Sequence, residues 1–510
     1  MKIIFKAFYI SASFLFLITT AVFFVPWRYF IYLIAKVFRP ELKCFATGLT
    51  RLFCSTNQWG DILPANAISV LTVEGHLELD SFRNLFHQRV LCKRDQKGKL
   101  IFEKFYEIIT FFMGYPFWTR ETNFDITDHI AAYDYHLDGI SHFDESHLKA
   151  YLSRVMSDSW NAERSYWNIT LVHGYTGKTN SLIIIKWQHA LADGFSMKRF
   201  LEALCCSEMI AEALPEMQFP SRSARLRNLI SEFYPRLEAF TETTKAIIRF
   251  PYDSARFKAG ISRHEKRLWQ KCVTVKEDEY HMTFTKPFSV KAIKSVQVKF
   301  GVGFQTVLFT AVSAALEKVL DQCKLPMTKM LLADCPKPLM SQNEGLTNSF
   351  YFGNICAPLE ATLAEDRLLR TEQSFRSHRI SKTSVGMYYM LEIAALLPGS
   401  LPWMCIGFMG QFVHIVFTSF PYFGEMVLGG YSVSDMITLF GSPHPSADFK
   451  VAVSGSPNQV RFGLSLRKSV NSLPPGTAWQ KSTLVIGHRG GLGVDELRYG
   501  ALNLDSNLHS

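Results

Sequence analysis

The chain has 510 residues, with 55 Lys and Arg against 45 Asp and Glu, so its formal net charge is +10. With 48% hydrophobic and only 20% charged residues, it is a packed protein, which excludes an acidic or disordered chain. Its 42 Phe are more than an enzyme surrounded by water needs, so contact with a membrane is the first expectation. The length allows two or three domains.

The ten Cys are scattered along the chain. They show neither a CxxC spacing of the kind that binds zinc nor the density of a disulfide framework. We therefore expect reduced thiols in a domain that faces the cytosol, and we expect neither a metal site nor a bound cofactor.

An apolar segment lies near the amino end. From Ala7 to Trp27 the chain has 21 residues without a charge, enough to cross about 30 Å of hydrocarbon as a helix. A cleaved signal peptide is the alternative, but the small-residue cleavage pattern is poor and a second apolar stretch follows Arg28. The sequence thus predicts an uncleaved membrane anchor over residues 1–40. A hairpin that re-enters one leaflet, with its break at Pro26, remains open.

Basic residues flank this segment unequally. Lys2 and Lys6 precede it, whereas four basic residues follow it: Arg28, Lys36, Arg39 and Lys43. The positive-inside bias therefore leaves the large carboxyl-terminal part in the cytoplasm. We expect the protein in a membrane, that of the endoplasmic reticulum, with its larger part on the cytoplasmic side.

The elements predicted in the first half alternate between strands and helices. They are a strand over Ile68–Leu79, a helix capped by Asp80 with Phe82, Leu85 and Phe86 on one face, a helix over His147–Met156, a hairpin of buried strands over Ile169–Val172 and Leu182–Trp187, and a helix after Gly194.

Residues 222–271 carry most of the net charge, because they hold twelve Lys and Arg against five Asp and Glu. Bulky aliphatic and aromatic residues are interleaved with them, so the segment either lies on an anionic bilayer surface or is a solvated connection. A nucleic-acid partner is not expected, since no recognised nucleic-acid motif accompanies the basic residues.

The second half begins with a strand in Tyr280–Val290, followed by helices over Lys291–Phe300 and from Gly301 to Leu320. An apolar stretch over 393–424 is interrupted by Pro and Gly, which favours a buried helix or an in-plane membrane contact. A hairpin over Lys450–Val453 and Val460–Leu466 ends the pattern. The predicted division is an anchor at 1–40, a first subdomain at 41–215, a basic linker at 216–275 and a second subdomain at 276–510.

The pattern HxxxDG follows the buried strand that ends at Trp187, as His189, Asp193 and Gly194. A histidine at a strand end can present one ring nitrogen to a cleft while a local backbone carbonyl fixes the other, which selects the tautomer that accepts a proton. We expect Asp193 to orient the turn through an ion pair and Gly194 to let the backbone turn sharply. A core histidine beside a helix-capping aspartate is the structural alternative.

The motif and its surroundings resemble the wax ester synthase/diacylglycerol acyltransferase family over about residues 60–470. The blocks that carry the resemblance are QHALADG at 188–194, 117–129, 157–167, 301–320, Leu346-Thr-Asn348 to Leu359, and Thr418-Ser-Phe-Pro421. Six blocks in the same order are harder to obtain by accident than one motif.

The resemblance implies an α/β fold of two chloramphenicol-acetyltransferase-like subdomains with a tunnel between them, preceded here by the membrane helix. It implies a membrane-bound enzyme that moves a fatty acyl group from acyl-CoA, a substrate and not a cofactor, to a long-chain alcohol or diacylglycerol. Membrane lipids would be its other partners. His189 would be the general base, while Asp193 and Gly194 would support the motif structurally.

Three departures from the family pattern leave other functions open. Gln188 replaces the first histidine of HHxxxDG, Gln305-Thr306 replaces an Asn-Asp pair, and the turn at 418–421 is reduced. An inactive, membrane-anchored relative that binds lipid or acyl-CoA is one alternative. A condensation-type, amide-forming enzyme also uses HxxxDG, but it normally sits among carrier-protein domains that this chain lacks.

Overall fold

The structure is a computed structural model. It describes residues 2–54, 65–205, 241–253, 280–322, 328–338, 345–360, 363–379, 382–402, 413–420, 424–441 and 449–467.

The amino end is one long helix. It consists of α1 (Lys2–Thr19), a π-helical turn (Thr20–Phe24) and α2 (Val25–Phe38). Pro26 lies in the first turn of α2, and the π turn before it absorbs the missing proline N–H without ending the helix. A hairpin with its break at Pro26 is therefore wrong. Lys6–Phe38, 33 residues, is long and apolar enough to cross a membrane.

A second candidate passes the same length and composition test when two helices bent by 104° are taken together, Val290–Phe300 and Phe304–Lys318. Both helices contribute side chains to a buried core cluster with neighbouring strands. They are therefore core helices of the folded domain.

The first half contains strands and helices in the predicted alternation. In chain order they are β1 (Leu42–Phe45), α3 (Gly48–Phe53), β2 (Asn66–Val73), α4 (Leu79–Phe86) with a π-helical end (His87–Leu91), β3 (Glu107–Phe112), β4 (Tyr115–Arg120), β5 (Ile130–Ala132), α5 (Glu145–Ser157), β6 (Trp167–His173), β7 (Ser181–Gln188) and α6 (Gly194–Cys205). Short 3₁₀ turns lie at Glu103–Tyr106, Ile126–Asp128, Tyr135–Asp138 and Tyr175–Gly177.

The second half has the same mixed composition. After a helix at residues 241–253, here α7, it contains β8 (Tyr280–Phe284), β9 (Phe288–Ser289), α8 (Val290–Phe300), α9 (Phe304–Gln322), β10 (Met330–Pro338), β11 (Phe350–Pro358), α10 (Ala364–Arg379), α11 (Lys382–Ala394), β12 (Ile415–Ser419), β13 (Val427–Leu428), β14 (Tyr431–Phe440), β15 (Phe449–Gly455) and β16 (Gln459–Arg467).

Three sheets organise these strands. A small sheet has the order β1-β4-β3, the first large sheet β13-β14-β2-β7-β6-β5, and the second β11-β10-β12-β15-β16-β8, with β9 paired to β16. The predicted hairpins are confirmed: β6 pairs antiparallel with β7, and β15 with β16.

The two halves share a sheet. Strand β14 from the second half pairs antiparallel with β2 of the first, from Val433 opposite Val73 to Phe440 opposite Ala67. The first large sheet is thus completed by a strand that follows β2 by more than 350 residues. The predicted domain boundaries stay predictions, but the halves are not independent layers.

Two local predictions in the first half are wrong. The strand predicted to run from Ile68 to Leu79 ends at Val73, and it is buried along nearly its whole length instead of alternating. Both of its faces are covered, because Ala67 and Leu71 belong to one core cluster and Ile68 and Val70 to another, and a strand covered on both faces loses alternation. Asp80 is not a cap: it lies in the first turn of α4 and pairs with Arg83 at 2.9 Å.

The basic segment is described only in part. Within it, α7 places Ala246 and Phe250 in buried positions against Gly386 of α11. This part of the segment packs on the domain and is not a solvated connection. The rest of the segment lies outside the described residues, as do residues 403–412 and 421–423 of the apolar stretch at 393–424. The six described free cysteines are Cys44, Cys54, Cys92, Cys205, Cys335 and Cys356.

Candidate functional site

His189 lies directly after the last residue of β7, at the edge where the two halves meet. Its backbone N–H donates to the carbonyl of Ala65 at 2.7 Å, which holds the end of β7 next to the start of β2. Its side chain is half-buried. The sheet therefore presents the imidazole at a fixed place without enclosing it completely.

The imidazole Nδ1 is 3.1 Å from the side-chain oxygen of Asn348, in the segment before β11. The amide nitrogen of Asn348 donates to three oxygens, the carbonyls of His189 at 2.8 Å and Ala190 at 3.1 Å and the hydroxyl of Thr50 at 3.1 Å. Because the amide nitrogen is committed to these acceptors, the amide oxygen faces the ring and accepts from Nδ1–H. This arrangement leaves the lone pair on Nε2.

The predicted partner of the ring was a local backbone carbonyl, and that prediction is wrong. The partner is a side chain 159 residues further along the chain. Asn348 stands at the end of the block Leu346-Thr-Asn348, so the resemblance marked the right segment without giving the residue its role.

Two phenyl rings flank the imidazole. The Phe53 ring, at the end of α3, stacks on His189 with centroids 4.1 Å apart and planes inclined by 22°. The Phe350 ring at the start of β11 lies 5.9 Å away. Burial among such groups lowers the pKa of His189, an effect that the negative charge of Asp193 opposes. The ring is consequently neutral at pH 7.

Gln188, which replaces the first histidine of the family motif, is fully buried. Its amide nitrogen donates to the carbonyl of Phe53 at 2.7 Å, and its amide oxygen accepts from the backbone N–H of Ala190. The replacement therefore keeps the Phe53 ring over His189. Nothing in the sequence pattern pointed to Phe53, because the contact joins α3 to the distant end of β7.

Asp193 is buried and makes two charge-assisted hydrogen bonds with backbone donors. One carboxylate oxygen accepts from Ser196 N at 2.8 Å and the other from Ser349 N at 2.7 Å. The first bond caps α6, and the second ties α6 to the segment that carries Asn348. The expected ion pair of Asp193 is thus wrong; among the described residues its partners are backbone N–H groups.

Close packing of another residue, and not a turn, explains the glycine at position 194. Its φ is not positive, but a Cβ built on it lies 2.1 Å from the ring of Phe420. Phe420 belongs to the block at 418–421, so two of the sequence blocks meet here.

Gln305 and Thr306, which replace an Asn-Asp pair of the family pattern, also form hydrogen bonds. The side-chain amide of Gln305 donates to the Ser419 hydroxyl at 2.8 Å, and the Thr306 hydroxyl donates to the carboxylate of Glu372 at 2.6 Å. These contacts fix the start of α9 beside the block at 418–421.

A family model described as the wax ester synthase/diacylglycerol acyltransferase catalytic domain matches residues 56–290. Among solved structures, the wax ester synthase/diacylglycerol acyltransferase from Marinobacter aquaeolei VT8 is similar with a TM-score of 0.57 at 17% identity, over 90% of this chain and 100% of that chain. The first condensation domain of the calcium-dependent antibiotic synthetase has a TM-score of 0.47 at 13% identity, over 90% and 92% of the chains. None of the curated proteins compared matches the chain in sequence.

The likeness to the Marinobacter structure concerns the fold. It confirms the predicted α/β fold. The matched range 56–290 includes His189, Asp193 and Gly194.

Proposed function

We propose that this chain, whose residues 56–290 match the wax ester synthase/diacylglycerol acyltransferase catalytic domain, moves a fatty acyl group from acyl-CoA to the hydroxyl of a long-chain alcohol or a diacylglycerol, with His189 as the general base. The match supports the coarser statement, an acyltransferase of wax ester or triacylglycerol synthesis. The acyl-CoA donor, the role of His189 and the acceptor are the parts that the proposal adds.

One observation carries the role of His189: Nδ1 faces the amide oxygen of Asn348, whose nitrogen is held by three acceptors. This fixes the tautomer with a proton on Nδ1 and a lone pair on Nε2. The lowered pKa of His189 keeps the lone pair unprotonated at neutral pH. A neutral imidazole with one fixed nitrogen is what proton abstraction from an alcohol requires.

In the proposed reaction, Nε2 of His189 takes the hydroxyl proton as the alcohol oxygen forms a bond to the thioester carbonyl carbon. The carbon–sulfur bond then breaks, and the thiolate of CoA receives the proton from His189. The products are an ester and free CoA, and no acyl-enzyme is formed. Asp193 and Gly194 hold the motif in shape and touch no reacting atom.

Membrane attachment is part of the proposal. The Lys6–Phe38 helix supports it by length and composition. The excess of basic residues after the span supports a cytoplasmic orientation of the larger part, with the endoplasmic reticulum as the proposed membrane.

The test is an assay of membranes that contain the full chain, with labelled acyl-CoA and either hexadecanol or dioleoylglycerol, and lipid products separated by thin-layer chromatography. His189→Ala should lower ester formation by about 10²–10⁴-fold, the usual contribution of general-base catalysis. His87→Ala, at an exposed histidine, is the matched control. Full activity of His189→Ala would end the catalytic role. Acyl-CoA binding by wild type without any ester would favour the alternative of an inactive lipid-binding relative.

A further inference from the structure

The exposed surface of the amino-terminal helix is uncharged over an unusual length. Between Lys6 and Lys36 the only charged residue is Arg28, and Arg28 is turned into the protein and buried. The stretch from Ala7 to Ala35, in which only the buried Arg28 is charged, is 29 residues, about 44 Å at 1.5 Å per residue, whereas hydrocarbon is about 30 Å thick. A helix that keeps this whole surface out of water must be strongly tilted. The tilt places the part of the protein that packs on the carboxyl end of the helix against the bilayer.

The far end of the helix holds the catalytic part. Ile31 and Ala35 of α2 are fully buried against the small sheet, where they meet Tyr115 and Phe117. Arg28 adds a hydrogen bond to the carbonyl of Ala395 at 3.3 Å. The opposite side of α2 is bare: Trp27, Phe30, Leu33 and Val37 are exposed. Helix α2 is thus apolar on its exposed side and packed against the protein on its other side.

The tip of the β3–β4 hairpin lies next to this docking site and is itself unusual. It is a two-residue turn with φ of +46° at Met113 and +81° at Gly114, where Asn-Gly is the usual sequence. A methionine there carries backbone strain, and its side chain is 47% exposed. Gly399 donates to the carbonyl of Gly114 at 2.9 Å, so the hairpin tip touches the segment that leads to exposed Leu401.

A seam between packed helices joins this surface to His189, and besides apolar side chains it holds the carboxylate of Glu392 against Gly48. Helix α3 follows α2 and β1 in the chain and packs on α11, where Leu49 and Leu52 meet Leu391 and Phe350. Helix α3 ends at Phe53, whose ring stacks on the imidazole, and Thr50 of the same helix accepts from Asn348. On its other side, α11 exposes Val385 and Tyr389.

We propose that the outer face of α2, the hairpin tip at Met113 and the exposed apolar residues Leu401, Val385 and Tyr389 form one face immersed in the bilayer, and that the lipid acceptor passes from the bilayer to His189 along the seam between α3 and α11. The passage of an acceptor rests on the proposed function. The immersed face does not, and it is tested separately. The face is in contact with the lipid bilayer, because it continues the exposed apolar surface of a helix that is longer than the hydrocarbon layer is thick.

The first experiment measures contact with lipid. The full chain is reconstituted in phosphatidylcholine vesicles with a tracer lipid that carries a diazirine near the end of its acyl chain, and labelled peptides are identified by mass spectrometry after illumination. We expect adducts at residues 111–115 and 385–401 as well as on the helix. The peptide with Val298, which is 85% exposed on α8, should stay unlabelled. Adducts confined to residues 2–38 would overturn the immersed face.

The second experiment measures the route with two acceptors and one acyl-CoA. In the double variant Met113→Glu, Leu401→Glu, esterification of bilayer-resident hexadecanol should fall at least tenfold, while that of water-soluble hexanol should change less than twofold. Val298→Glu, an equally exposed substitution outside the face, should change neither rate. Equal losses with both acceptors, or no loss with either, would overturn the route. A wild-type protein that esterifies neither of these alcohols nor dioleoylglycerol would refute the proposed function, and the lipid adducts would still decide whether the face is immersed.

Discussion

Asn348 holds His189 from two sides at once. Its amide oxygen lies 3.1 Å from the ring Nδ1, and its amide nitrogen donates to the carbonyl of the same histidine at 2.8 Å. A single side chain thus sets both the ring tautomer and the backbone position of the proposed base. Asn348 belongs to the second half of the chain, so the site forms only when the two halves assemble.

Asn348→Ala should lower kcat/KM by roughly 10- to 100-fold, a part of the 10²–10⁴-fold that a positioned general base supplies. The ring would lose the acceptor that keeps the proton on Nδ1, and the two carbonyls and Thr50 would lose their donor. The measurement is ester formation at saturating acyl-CoA, with circular dichroism as a check of folding. Asn84→Ala, at an exposed position of α4, is the control. An unchanged rate in Asn348→Ala would show that the tautomer is set by something else.

The pH dependence of kcat/KM should follow the lowered pKa of His189. Burial disfavours the imidazolium, so the acid limb of the profile should lie below about 6.5, the ordinary value for imidazole, with a plateau through neutral pH. Asn348→Asp would bring a carboxylate to Nδ1 and should move the limb to higher pH, because a negative charge favours the protonated ring. A limb at the same pH in wild type and Asn348→Asp would contradict the assignment of the limb to His189.

Local sequence patterns predicted the elements that local forces determine. The β6–β7 hairpin, helix α6 after Gly194 and the β15–β16 hairpin all appear where apolar periodicity and turn residues placed them. His189 was found because its motif is contiguous. Its partner Asn348 was not, because a hydrogen bond across 159 residues leaves no periodic signal.

Tertiary packing explains the remaining errors. Strand β2 lacks alternation because two core clusters, each with side chains from both halves, cover its two faces. The ion pair predicted for Asp193 is wrong because backbone N–H groups from the two halves donate to its buried carboxylate instead. The sequence does not show these donors. Gly194 was assigned to a turn, although the ring of Phe420 is what excludes a side chain.

Gly194→Ala should reduce both activity and stability. A Cβ at this position would lie 2.1 Å from the Phe420 ring, so either the ring or the start of α6 must move, and overpacking of this kind typically costs about 1–3 kcal/mol. The measurements are the thermal midpoint and the rate of ester formation. Gly424→Ala is the matched control, because its Cβ would meet no atom within 4 Å and its φ is not positive. If both variants behave alike, the contact with Phe420 does not explain the glycine.

Two truncations separate the membrane-crossing part of the helix from its docked part. Removal of residues 1–24 leaves Ile31 and Ala35 packed on the small sheet, so the thermal midpoint in detergent should be close to that of the full chain. Removal of residues 1–40 bares Tyr115 and Phe117 and loses burial of Ile31, which alone is worth about 1.5–3 kcal/mol. At roughly 2–4 °C per kcal/mol for a large domain, the midpoint should fall by several degrees, and β1, which leads into α3, should lose its packing against Ile31 and Ala35. The longer truncation should therefore lose ester formation from water-soluble hexanol as well, which a mere tether would not explain. Equal midpoints and equal hexanol activity in the two truncated proteins would show that α2 is only a tether.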